Sequence, residues 1–253
     1  MSNNRLIPWI SAALVFLSLE LTTIKPKLIY FFMLLSFLAV FIGMWRLIDI
    51  EMKKAKFWNF LITPISLLIA GWIFFIFLDG NGWQLASAML LSGFLWLFME
   101  TIFFYFYLRP KYQAHALENI SYYLNLAAVF LFYSGLFNLS VFLTFKFWWL
   151  MLSGIIFSIL LLHELFWVSE ISFQSSRVYI IIITLLMAEF FWTVSFLPTS
   201  VYVNGMIMTT SFYLLGGLAR NWLLEIREPK VLRRYLFNSL FVFIIILLTA
   251  KWF

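Results

Sequence analysis

The chain has no cysteine, which excludes disulfide bridges, thiolate metal centres and a cysteine nucleophile. Histidine is nearly as scarce, with only His115 and His163. Two histidines without a thiol cannot furnish the usual ligand sets of haem, copper or zinc, so neither a metal nor another cofactor is expected. Charge is the third shortage. Asp, Glu, Lys and Arg make up 11% of the 253 residues, against about 25% in soluble domains. A water-soluble fold of this length has too much surface for its volume to hide the 64% of residues that are hydrophobic. Lipid is therefore the solvent for most of the chain.

Several catalytic signatures are missing as well. His163-Glu164 has no second histidine at the spacing of H-E-x-x-H, and there is no P-loop, no G-x-S-x-G and no dinucleotide fingerprint. No lysine lies central in a late apolar segment, where a retinal Schiff base would need one. These gaps lean the reading away from an enzyme. The net charge of +6 does not call for a nucleic-acid partner, because the bases sit in short loops between apolar runs, where membrane orientation accounts for them.

What the chain does contain is aromatic bulk, 22% of residues with 32 Phe and 12 Trp, suited to lipid contact and interfacial anchoring. Nine apolar segments approach the roughly 20 residues needed to cross the hydrocarbon core: residues 6–23, 28–48, 57–78, 85–108, 120–145, 147–168, 178–197, 201–219 and 235–252. The stretch 120–168 is too long for one crossing, and Lys146 marks the break. Arg5 ahead of the first run superficially resembles a signal peptide, but no A-x-A site follows, so the run is read as a retained first helix. The runs are continuous rather than alternating, which points to helices and not a β-barrel. Only Pro198 is read as breaking an apolar run, and it lies at an end. The expected fold is an all-α, polytopic transmembrane helix bundle of about nine helices, one domain over residues 1–253 without a soluble part.

Orientation follows from the bases. With the N-terminus inside and the C-terminus outside, Arg5, Arg46, Lys53, Lys54, Lys56, Arg109, Lys111, Arg177, Arg220, Arg227, Lys230, Arg233 and Arg234 fall inside, while Lys25, Lys27, Lys146 and Lys251 fall outside. This is the positive-inside bias, and dropping or adding one helix midway would scramble it. The apolar runs also carry an echo, Glu164-Leu165-Phe166-Trp167 against Glu189-Phe190-Phe191-Trp192, with a looser version at Glu100. It is readable as a repeat or as coincidence in a Phe-rich chain.

An ionisable side chain inside a span costs about 2.5–3.5 kcal/mol on insertion scales and marks a candidate site. Glu189, near the middle of its segment, is placed first, as a proton site, a cation or substrate contact, or an acid hydrogen-bonded to another helix. Glu100, His163 and Glu164 follow, in the inner-leaflet third of their helices. Adjacent helical residues point about 100° apart, so His163 and Glu164 cannot face one another. Arg220 either pairs with Glu100, Glu164 or Glu189 across the bundle or anchors to phosphates. Asn125, Asn138, Asn204 and Asn221 can bond between helices, and Gly154, Gly205, Gly216 and Gly217 permit close approach. The last inside loop, 220–234, offers Trp222, Arg227, Lys230, Arg233 and Arg234 as contacts for lipid headgroups, anionic lipid at the inner leaflet included.

The stretch Glu189-Phe190-Phe191-Trp192 through Phe196-Leu197-Pro198, followed by a glycine-containing helix ending near Arg220, resembles the carboxy-terminal part of uncharacterised polytopic membrane proteins of candidate-phyla bacteria. The resemblance covers about the last third of the chain. It implies a bacterial inner membrane and carries over no residue role. Three functions are left open: a non-enzymatic membrane component whose buried acids serve packing, a small secondary transporter or channel with Glu189 on a proton or cation path, and an intramembrane enzyme using His163, Glu164 and Arg220 on a lipid-linked substrate. Where the acids point separates them.

Overall fold

The computed structural model describes residues 3–48, 56–108, 112–113, 115–143, 145–226 and 228–250. Among these the chain is helical throughout, with nine α-helices: α1 (Ile7–Ile24), α2 (Ile29–Leu47), α3 (Phe57–Ile76), α4 (Asn81–Tyr107), α5 (Ala116–Phe142), α6 (Phe147–Val168), α7 (Phe173–Val194), α8 (Val201–Leu223) and α9 (Pro229–Thr249). The first seven are long and apolar enough to cross a membrane. The protein is a multi-pass helical membrane protein.

The helix ends follow from local chemistry. Lys25-Pro26 stops α1, since the ring before the next helix removes a donor. Gly80, at φ 91°, makes the turn into α4 that a residue with a Cβ would resist. Lys146 stands in extended conformation between α5 and α6, at the break expected for it. Ser172 and Ser200 cap α7 and α8 by accepting from the amides of Ser175 at 3.3 Å and Val203 at 3.4 Å.

Pro64 lies buried inside α3 without ending it, and its ring has no amide to donate to the carbonyl of Phe60. One expectation is corrected. The supposed loop 220–234 is mostly helix, because α8 continues to Leu223 and α9 begins at Pro229. Hydropathy had ended and begun these helices at the charges, yet a helix in the interface continues through bases that reach for headgroups.

The chain divides into two compact units, Met1–Leu124 and Asn125–Phe253. In the first, α1 packs on α2 and α4, and α3 packs on the same two, closing a four-helix bundle. Its core holds Trp72, fully buried, whose indole N–H donates to Ser36 Oγ at 2.9 Å. In the second, α6, α7, α8 and α9 pack in succession, with α6 also touching α8. The α5 portion of this unit touches three of these helices. Phe132 stacks on Phe157 of α6 with centroids 3.8 Å apart, Tyr133 and Phe137 meet Phe191 of α7, and Ser134 lies against Gly205 of α8.

Candidate functional site

Among the described residues the most buried acid is Glu164. It lies four residues before the end of α6 and is 1% exposed. Asn125 of α5, 0% exposed, donates its Nδ2 to Glu164 Oε2. Its own Oδ1 is buried and accepts no hydrogen bond. Burying a lone carboxylate in apolar packing is expensive, so an amide aimed at it is the least that such a position requires. About two helical turns along the same pair of helices, a second polar contact joins them: Tyr133 Oη lies 2.8 Å from Ser158 Oγ and donates to the Gly154 carbonyl at 3.3 Å. Sequence reasoning passed over this pair, because a tyrosine and a serine in an apolar run raise no hydropathy signal. A polar residue on each of two neighbouring helices was the only clue.

His163 turns away from its neighbour, as the helical geometry demands. It is half-buried, with its ring edge-on to Phe173 at 5.9 Å between centroids. Arg220 is half-buried in the last turn of α8. Glu100, half-buried on α4, belongs to the first unit, where the charge of Arg5 is its electrostatic partner. Nearby, Asn4 Nδ2 donates to Tyr107 Oη at 2.9 Å.

Glu189, the leading candidate from sequence, is exposed. It shares a stripe of α7 with the exposed Val178, Ile181, Ile182 and Leu185. The reason for the expected central position is also gone. Ser172 starts α7 well before Val178 and the helix ends at Val194, which leaves Glu189 in the last third of the helix. From there a carboxylate reaches the interface by extending along the helix. Glu189→Gln is accordingly expected to change unfolding stability by less than about 0.5 kcal/mol; a loss several times larger in chemical unfolding would show that the carboxyl is held by the fold.

Of the headgroup candidates, Trp222 is 55% exposed, and Lys230, Arg233 and Arg234 are exposed on the first turns of α9. Arg234 lies 5.9 Å from the centroid of the Tyr235 ring. Arg227 lies outside the described residues. Between α4 and α5, His115 Nδ1 is 2.8 Å from Glu118, and burial pushes the Tyr112 phenol up while its oxygen accepts from the Leu117 amide at 3.0 Å. Among the described residues no group of three or more His, Asp or Glu side chains is placed to hold a metal ion. The candidate site is thus an acid–amide contact between two helices. No protein-family model, curated protein or solved structure matches the chain.

Proposed function

We propose that the protein is a non-enzymatic component of a bacterial inner membrane, a helical scaffold or partner subunit rather than a carrier. The reading rests on Glu164. The most enclosed acid of the second unit accepts a hydrogen bond from an amide on the adjacent helix, an arrangement that suits a packing role, while Glu189 is turned outward. The bilayer is the partner common to all the helices. The bases at the start of α9 suit anionic headgroups, each worth about 1 kcal/mol near a charged surface. In the nine-pass reading, in which α8 also crosses and the N-terminus is inside, this end of α9 faces the cytoplasmic leaflet.

Reconstitution into liposomes tests the reading. Native protein and Glu164→Gln are expected to leave proton and monovalent-cation leakage at the level of empty vesicles. A flux that native protein supports and Glu164→Gln abolishes would make the pair a transport site.

A further inference from the structure

The α6–α7 and α8–α9 hairpins end their first helices in the same way. At α6, the Ile171 amide donates to the Phe166 carbonyl at 3.0 Å and the Glu170 amide to Trp167 at 3.0 Å. At α8, the Ile226 amide donates to Asn221 at 3.0 Å and the Glu225 amide to Trp222 at 3.1 Å. Both are Schellman caps closed by a left-handed residue, with φ of 60° at Glu170 and 59° at Glu225. The two caps read Trp-x-x-Glu-Ile, and the same spacing relates other pairs of the two hairpins. Phe157 and Phe212 are both buried, and so are Ile180 and Tyr235. Thr184 and Ser239 are both buried hydroxyls without a hydrogen-bond partner. The echo expected from Glu164 and Glu189 is a different one; this repeat is carried by caps and burial.

The residue at the turn is the unexpected part. Glycine takes the left-handed conformation without strain, yet glutamate occupies it twice. Each carboxylate also stands at a helix C-terminus, beside carbonyl ends that already carry negative partial charge. Both glutamates are exposed, and among the described residues neither carboxylate has an ion-pair or hydrogen-bond partner. Strain and an unfavourable charge placement, repeated at equivalent positions, call for a cation from outside the fold. The surroundings specify which kind. Trp167 and Trp222 sit one turn back, and tryptophan favours the headgroup level. Exposed bases near the starts of the helices that follow, Arg177 in one hairpin and Lys230 in the other, supply positive charge at the same end of each, although at positions the repeat does not pair.

We propose that the two caps are equivalent sites for an aminophospholipid headgroup. The primary ammonium donates hydrogen bonds to the Glu170 or Glu225 carboxylate and to the helix-end carbonyls, and the phosphate is met by Arg177 or Lys230. Phosphatidylethanolamine fits this pattern. Phosphatidylcholine carries the same net charge and phosphate, but its methylated ammonium has no N–H to donate.

Thermal unfolding in nanodiscs tests this whether or not the protein conducts ions. Native protein is expected to unfold at a higher temperature in phosphatidylcholine containing phosphatidylethanolamine than in phosphatidylcholine alone. Glu170→Gln and Glu225→Gln should each lose about half of that difference and the double variant all of it. The double glycine variant, Glu170→Gly with Glu225→Gly, relieves the turn strain, so it should fold, unfold at a higher temperature than native protein in phosphatidylcholine alone, and show no ethanolamine response. A full ethanolamine response in either double variant, or none in native protein, overturns the proposal.

Discussion

Replacing Asn125 by leucine is expected to destabilise the second unit by about 3 kcal/mol. The ordinary hydrogen bond between membrane helices is worth under about 1 kcal/mol, and this site should exceed it for a reason visible in the packing. The acceptor is a carboxyl that is 1% exposed, so it cannot turn to water or headgroups when its amide goes. Taking a hydrogen-bond donor away from a buried polar group typically costs about 1–3 kcal/mol, and more when that group is charged. The counter-test is built from the same argument. The double variant Asn125→Leu with Glu164→Leu removes both polar groups and should recover most of the loss, since well-packed apolar replacements for such pairs are often near neutral. Reversible unfolding of the four members of the cycle in bicelles measures the coupling. If Asn125→Leu alone costs no more than a surface substitution, the contact is incidental and the proposed packing role of Glu164 falls with it.

The second large effect is steric. Gly205 of α8 lies where α5 crosses, and a Cβ there would run into the side chain of Ser134 and come within 3.2 Å of its backbone nitrogen. A serine hydroxyl can rotate aside, but backbone cannot. Gly205→Leu is therefore expected to cost about 3 kcal/mol, the upper end of the usual cost of overpacking. Moving α5 aside to make room would instead open its contacts with the neighbouring helices, the stack of Phe132 on Phe157 and the packing of Tyr133 and Phe137 on Phe191. Gly93 of α4 is the control, since a Cβ there meets nothing within 4 Å. Gly93→Ala should leave the unfolding midpoint unchanged or raise it slightly. Equal losses at the two positions would mean that α5 and α8 do not cross as closely as described.

These two positions show how unevenly the site could be read in advance. Gly205 and Asn125 were both named from sequence as possible interhelical contacts, and composition could not rank them: a Cβ at Gly217 would also run into the Tyr235 ring, whereas one at Gly154 would make only ordinary contact with Tyr133. Glu164 was ranked behind Glu189 because hydropathy measures how far an acid lies from the ends of a run and cannot tell which way it points. The capping serine at 172 then moved the helix start, and with it the depth of Glu189.

Composition and run length alone were enough to establish a multi-pass helical membrane protein and to locate most helix ends within a few residues, including the α5–α6 break at Lys146. The cause is general: in lipid a backbone must satisfy its own amides, so an apolar run of sufficient length has one structure open to it. Which face of each helix meets a neighbour was decided only by the tertiary structure. In a water-soluble helix the polar stripe announces the outside, but here the surrounding solvent is as apolar as the core. The pairing of Glu164 with Asn125, the outward turn of Glu189 and the twin caps at Glu170 and Glu225 were therefore settled by close packing and local hydrogen bonding, which leave no mark in hydropathy.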